Sequence, residues 1–473
     1  MKLIFSQALF LILACSSSAQ NNVGVGTTTP SEKLEVMGNI KLDTIKPAAI
    51  KLTANSGMGK ILMSDATGNA NWSSSAIPSG NVGYGVWGDC ATNGNISEYT
   101  PVAPDDGAPA DWFGYSVAIS GTHALVGARL DDIGAFINQG SVSFFQHDGN
   151  NWILSQKMTD ASATVFGTSV AIDGNFAVVS MGSSVGIGAA NVYLFNGATW
   201  VLTQKITDAS GVSGDGFGTA VSISGNRIII GANKDGVGAN TEQGSVSIYQ
   251  YNGTSWVLMQ KITDATGTAT AEFGSSVAIS DNYAIVGARW ENLGANTDQG
   301  SASIYKYNGT NWVLMNKIVD ATGTTGDQFG ISVSIAGNYA IIGASSDDVG
   351  TNLGQGSASI YNFGGISWQL TQKITDPLGL SGDAFGVSVF ISGKYALIGA
   401  VFHDEGSNIN QGTANVYTRI GNGWQKLQTI TDPAGAANDN LGKGVAIDAA
   451  SKRFLIGAYI AFPGGKAIFG KLN

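Results

Sequence analysis

FGISVSIAGNYAIIGASSDDVGTNLGQGSASIYNFGGISWQLTQKITD, residues 329–376, is one copy of a unit that fills the chain from about residue 95 onward. Inside it SVSIA (332–336) alternates hydroxyl and aliphatic side chains, GN (337–338) turns, and YAIIGA (339–344) is β-branched and apolar again. That is the period and punctuation of two strands joined by a tight turn. A glycine-rich loop, SSDDVGTNLGQG (345–356), leads to SASIYNF (357–363), and GG followed by SWQLTQKIT (367–375) completes a second hairpin. Neighbouring copies spell this second turn YNGT (251–254 and 307–310), where Asn-Gly suits the positive φ of a type I′ turn. Four strands per unit without a helical period describe a propeller blade; solenoid repeats are usually shorter and seldom hold four meandering strands.

The Phe-Gly pair that opens the unit recurs at Phe113, Phe166, Phe217, Phe273, Phe329 and Phe385, with Leu441-Gly442 in a seventh place, at spacings of 53, 51, 56, 56, 56 and 56 residues. Seven copies predict an all-β, seven-bladed propeller of four-stranded blades, assigned to residues 81–473. The last copy supplies GVAID (444–448), RFLIGA (453–458) and KAIFGK (466–471) but no fourth strand. Residues 93–114 align with residues 252–274, so residues 96–103 are expected to be the orphan fourth strand, closing the ring against residues 466–471 and leaving no free edge.

The strand pair after Phe-Gly ends in Gly-Ala in six copies (Gly127, Gly231, Gly287, Gly343, Gly399 and Gly457) and departs in one, which reads SMG at 180–182. Phe-Gly with Gly-Ala at this recurrence resembles the FG-GAP repeats of integrin α-subunit propellers and their bacterial relatives, over roughly residues 95–473. The resemblance implies protein or glycan recognition on one face. In that family a calcium loop of the form D-x-D-x-D-G lies between the first two strands. Here that place holds only turns such as Ser224-Gly225-Asn226 and Ala336-Gly337-Asn338, which cannot supply about 6–8 oxygens. The family's calcium site is therefore not carried over, and no cofactor is expected; the D-D-x-G-x-N loop of Asp347, Asp348 and Asn352 is the one alternative cation holder, against solvated turn residues.

Residues 1–19 combine Lys2, an apolar run through Ala14 and Ser-Ser-Ala before Gln20, the pattern of a secretory signal peptide. The expected location is secreted or cell-surface. Ile-Leu-Ala-Cys (12–15) loosely resembles a lipoprotein box, which gives the alternative of an outer-membrane lipid anchor through Cys15. If cleavage follows Ala19, Cys90 is the only cysteine left and forms no internal disulfide, so a hydrophobic core must supply stability; 43% hydrophobic residues suffice for one. Residues 20–80 lack the repeat. NNVGVGTTTPSEKLEVMGNIKL (21–42) and GKILMSDATGNANW (59–72) resemble N-terminal segments of bacterial secreted proteins related to phage tail fibres, implying a short β-rich stalk through which the protein could oligomerise, with a β-rich or unfolded spacer as the alternative reading. SSSAIPSG (73–80) reads as the linker.

In an up-and-down blade, successive loops alternate between the two ends of the disc. The 1–2 and 3–4 turns fall on one face and are minimal; the 2–3 and inter-blade loops fall on the other and are long. More than two thirds of the 34 acidic residues lie in those long loops. The net charge of −10 argues against nucleic acid, whose phosphates need a basic stripe. An acidic face suits cations, basic partners or a sugar surface. The candidate binding residues are Asp131, Asp132, Asp235, Trp290, Glu291, Asp347, Asp348, Asn352 and Asp404. Of the inter-blade acids, those two before the Phe-Gly position (Asp111, Asp215, Asp327, Asp383 and Asp439) are placed to bond nearby backbone amides.

Trp152, Trp200, Trp256, Trp312, Trp368 and Trp424 open fourth strands at constant phase, which predicts inter-blade packing rather than a sugar platform. Trp290, beside Arg289 and Glu291, falls outside that series and is the expected exposed contact. Asn-Gly-Thr at 252 and 308 matches a glycosylation sequon but is explained by hairpin chemistry. The three histidines, His123, His147 and His403, are scattered without a nucleophile motif, and paired carboxylates such as Asp131-Asp132 recur instead of breaking symmetry once, as a catalytic centre would. The expected function is a non-catalytic binding or adhesion module for an extracellular protein or glycan. The alternatives are a structural unit of a surface fibre and a polysaccharide-active enzyme with a site in the central channel.

Overall fold

The computed structural model describes residues 23–25, 34–36, 61–64, 70–73, 96–104, 106–181 and 186–473. The chain divides into two compact units, Met1–Ser79 and Gly80–Asn473. In the first, Val23–Val25 pairs in parallel with Leu34–Val36, and Ile61–Ser64 pairs antiparallel with Ala70–Ser73. The expectations for the signal, for Cys15 and Cys90, and for most of the linker lie outside the described residues.

The second unit is a ring of seven four-stranded antiparallel sheets, with no helix among the described residues. Blade 1 is typical: Phe113–Ser120, His123–Ala128, Ser141–His147 and Trp152–Met158 follow one another across the sheet. Blades 2 to 6 repeat this from Phe166, Phe217, Phe273, Phe329 and Phe385. Blade 7 takes Leu441–Asp448, Arg453–Ala458 and Lys466–Leu472 from the C-terminal end and its fourth strand, Ile96–Val102, from before blade 1, with Phe469 opposite Thr100 and Ala467 opposite Val102. The seam is where the sequence placed it. First strands of successive blades pack side by side around the whole circle, so they line the axis and the fourth strands form the rim.

Every hydrophobic core cluster joins two adjacent blades. Between blades 4 and 5, for example, Ile285, Ile304 and Ile318 meet Phe329, Ile335, Ile342 and Trp368. The tryptophans that open the fourth strands pack backward, Trp368 edge-on to Tyr283 at 5.5 Å and Trp256 edge-on to Phe176 at 5.3 Å. The outer edge is fastened as well: Gln260 accepts from the Trp312 amide at 2.8 Å and donates to the Trp312 carbonyl at 3.2 Å, and Gln204 does the same for Trp256. Those bonds occupy the backbone groups of a rim strand that would otherwise template association.

The Phe-Gly and Gly-Ala signatures have one cause. The seven glycines after Phe or Leu have φ between +84° and +99°, a region that suits only glycine. A Cβ on Gly330 would lie 2.2 Å from the Ser301 carbonyl oxygen of the preceding blade, and one on Gly287 would lie 2.1 Å from the Gly330 oxygen of the next. Two backbones thus pass each other glycine to glycine at six of the seven inter-blade joints, Ser180 standing in for the glycine between blades 2 and 3.

Candidate functional site

The 2–3 loops and the inter-blade loops share one face, held by a recurring set of bonds. The Gln of each Gln-Gly before the third strand gives its carbonyl to the next blade's Phe or Leu amide, as Gln299 does to Phe329 at 2.8 Å, and its side-chain nitrogen to an inter-blade carbonyl, as Gln299 does to Asp320 at 2.8 Å. Asn352 donates to Gln355 at 3.0 Å and to the Gly379 carbonyl at 3.0 Å; Asn240, Asn296 and Asn408 repeat the pattern. Asn352 is therefore committed to holding two loops together.

The structure divides the candidate acids into two groups. Asp131, Asp235, Glu291 and Asp347 are only 1–9% exposed. Each meets a fourth-strand lysine that also grips an inter-blade aspartate. Lys157 lies 2.9 Å from Asp131 and 2.7 Å from Asp106, Lys261 lies 2.7 Å from Asp235 and 2.8 Å from Asp208, and Lys373 lies 2.7 Å from Asp347 and 2.8 Å from Asp320. Lys317 joins Glu291 to Asp264 in the same way. Ser141, Ser245 and Ser301 donate to three of the four carboxylates. This corrects the expectation that these four are open to a ligand: a buried charge is retained where it is paired, and these are paired. Burial pulls the Lys317 ammonium pKa down, but the hydrogen bonds it donates to Asp264 and Glu291 more than reverse it, leaving it above its ordinary value.

Asp132, Asp348 and Asp404 are exposed. Each accepts from the amide six residues on, Asn138 at 2.7 Å, Gly354 at 2.8 Å and Asn410 at 2.8 Å, and so closes its own loop. Trp290 is half-buried, with the Arg289 guanidinium over its ring at 5.2 Å, and Arg289 pairs with Glu272 at 2.8 Å. The expectation of a freely exposed Trp290 is corrected accordingly: its neighbouring cation covers one face. Among the described residues no group of three or more His, Cys, Asp or Glu is arranged to hold a metal.

A family model described as FG-GAP repeat matches residues 97–145, 200–249, 256–305, 312–361 and 368–417, more than half of the chain. The chain belongs to the FG-GAP repeat family. Each matched segment runs from the fourth strand of one blade through the third strand of the next, the same one-strand offset that closes this FG-GAP ring. No curated protein matches the chain.

Asp111, Asp215, Asp327, Asp383 and Asp439 accept from the amide three residues before them, at 2.6 to 2.9 Å, as the sequence indicated. The Asn of each Asn-Gly-Thr likewise closes its hairpin, Asn252 accepting from the Thr254 and Ser255 amides at 2.9 Å. His403 stands where other blades have the buried acid and bonds Asp383 at 2.9 Å. That hydrogen bond and charge raise the imidazole pKa above its ordinary value. A raised histidine stabilises most below the unfolded value of about 6.5 and loses that contribution as pH climbs through the folded value. Between pH 6 and 8.5 the wild type is thus expected to lose more melting temperature than His403→Gln; parallel curves would refute the pairing.

The sequence reading missed the apolar tips of this face. Phe136 (61% exposed) and Ile137 (77%) lie in the blade 1 loop, Leu353 (67%) in blade 5, Leu378 (70%) between blades 5 and 6, Ile409 (60%) in blade 6 and Phe462 (84%) in blade 7. Away from this face the large exposed apolar residues include, among the described residues, Ile366 and Ile420 beside 3–4 turns and a rim series at the start of the fourth strands, Ile153, Val201, Val257 and Val313. One signal was legible: Phe136 occupies the position that Asn296 and Asn352 hold in other copies, replacing a loop-locking amide with an exposed ring.

Proposed function

We propose that this FG-GAP propeller is a non-catalytic binding or adhesion module, secreted or held at the cell surface, that recognises an extracellular protein or glycan through its long-loop face. The observation that carries the reading is the asymmetry of the two faces. Large apolar side chains project from the tips of the long loops in blades 1, 5, 6 and 7, beside the solvent-facing carboxylates Asp132, Asp348 and Asp404. Large exposed apolar groups on the loops of the neighbouring blades 5, 6, 7 and 1, set beside polar groups, suit an interaction site. The histidines support the absence of catalysis: His123 packs on Phe195 at 4.6 Å and Trp200 at 5.4 Å, His147 packs on Trp152 at 5.2 Å, and His403 is spent on Asp383. Export rests on the signal pattern of residues 1–19.

The test is binding of the mature protein to a glycan and matrix-protein array. A variant carrying Phe136→Ser, Ile137→Ser, Leu353→Ser and Asp348→Asn is expected to lose at least tenfold in binding with its melting temperature kept within a few degrees. Ile366→Ser with Ile420→Ser, on the other face, is expected to bind as wild type. Absence of any ligand for the folded wild type would overturn the reading in favour of a fibre component.

A further inference from the structure

The seven-fold symmetry breaks at one place on the axis. Trp112, immediately before Phe113, and Tyr115, immediately after Gly114, stack with ring centroids 5.7 Å apart and planes 15° apart, and Tyr459 of blade 7 meets both edge-on at 5.2 and 5.6 Å. The Arg129 guanidinium lies over Tyr115 at 4.8 Å and Trp112 at 5.6 Å, and the Lys443 ammonium lies over Tyr115 at 5.1 Å. All five side chains are half-buried, neither enclosed in the core nor free in solvent. Tyr115 and Lys443 lie two residues into innermost strands, at their long-loop end, which places the cluster at the mouth of the central channel.

No other blade repeats it. The position of Trp112 is taken elsewhere by Val165, Gly216, Glu272, Gln328, Ala384 and Asn440, none of them aromatic. The backbone there is left-handed in every blade, φ +60° at Trp112 and +71° at Gly216. A bulky residue in that region is strained, so tryptophan is held at a place where glycine is preferred.

The mouth is also positive within a chain of net charge −10. Among the described residues neither Arg129 nor Lys443 forms an ion pair with a carboxylate, and the buried Arg129 Nε has no acceptor. Burial raises the Tyr115 phenol pKa, yet Lys443, Arg129 and Arg289 together bring it below its ordinary value, a local record of that positive potential.

We propose that the channel mouth binds a saccharide bearing a carboxylate, with the acid group held by Arg129 and Lys443 and the sugar ring laid against Trp112 and Tyr459. The guanidinium edge matches a carboxylate fork. Thr168, Thr219 and Ser275 follow the Phe-Gly glycine in blades 2 to 4, at the position of Tyr115; the Thr168 and Ser275 hydroxyls donate to the Val165 and Gly287 carbonyls and keep their acceptor lone pairs for a hydroxylated ring. An acidic peptide fits less well, because its chain offers no ring to lay against Trp112 and Tyr459. The proposal rests on the long-loop face being the binding face and adds a ligand chemistry to it.

The experiment is titration of the mature protein with a galacturonic acid trisaccharide, the neutral galactose trisaccharide and a triglutamate peptide, read by calorimetry and tryptophan fluorescence. The acidic trisaccharide is expected to bind at least tenfold more tightly than either comparison ligand. Arg129→Gln and Lys443→Met are each expected to weaken it at least fivefold. Trp112→Gly is expected to abolish the fluorescence response without lowering the melting temperature, since glycine relieves the left-handed strain. Equal binding of the neutral sugar or of triglutamate, retention of binding by Trp112→Gly, or no uronate binding overturns the proposal. The loop-tip variant keeps uronate binding, so array binding lost only in that variant, without uronate binding by the wild type, sinks this inference and leaves the binding role standing. A folded wild type that binds nothing in either assay sinks both.

Discussion

Lys317→Met is expected to destabilise the propeller by about 3 kcal/mol, the low end of the range for breaking a buried pair, because the lysine keeps some solvent contact. Its side chain is 20% exposed while those of its partners, Asp264 and Glu291, are 5% and 1% exposed. Removing the cation leaves two carboxylates near each other with little water. The triple variant Lys317→Met, Asp264→Asn, Glu291→Gln is expected to recover most of the loss, since neutral partners carry no uncompensated charge. The pH dependence follows from Asp264. Burial pushes its pKa up, but Lys317 and the Thr266 amide and hydroxyl outweigh that and hold it below the ordinary carboxylate range. A lowered acid stabilises above its unfolded value and loses that contribution as pH falls through the folded one. The wild type is thus expected to lose melting temperature below about pH 4, and Lys317→Met to show a shallower acid slope. A change under about 1 kcal/mol would mean the lysine behaves as a surface ion pair.

Gly386→Ala and Gly365→Ala separate two reasons for a glycine. Both have positive φ, +89° and +95°. At Gly365, in a hairpin turn, a Cβ meets nothing within 4 Å; at Gly386 it would lie 2.2 Å from the Ser357 carbonyl oxygen of the preceding blade. Gly365→Ala is expected to cost about 1 kcal/mol of backbone strain. Gly386→Ala is expected to cost about 2–4 kcal/mol, since overpacking adds to the same strain. Thermal and urea melts of the two proteins decide it. Equal losses would show that the Phe-Gly signature records only a dihedral requirement and not the approach of two blades.

The architecture is legible in the chain alone, because the information is local and written seven times. Alternation in SVSIA, the turn at Gly337-Asn338 and the hairpin chemistry of Asn252 and Asn308 each depend on a few consecutive residues. The offset closure followed from counting strands at the ends of the repeat, and the structure pairs Ile96–Val102 with Lys466–Leu472. The capping aspartates, such as Asp327 on the Thr324 amide, were legible for the same reason, since donor and acceptor are three residues apart.

Which charges are spent depends on the folded ring. Asp347 and Asp348 are adjacent and alike in sequence, yet one is buried on Lys373 and the other faces solvent, because a loop on the disc presents successive side chains to opposite sides. The lysines stand at constant phase in the chain, but Lys317 lies 53 residues from Asp264 and 26 from Glu291, so their pairing appears only once the blades are side by side. The aromatic cluster needs more still: Trp112 and Tyr115 meet Lys443 and Tyr459 only because the ring closes and brings the first blade against the last. A repeat specifies what each blade repeats; where blades differ, function depends on which departures the closed ring sets next to one another.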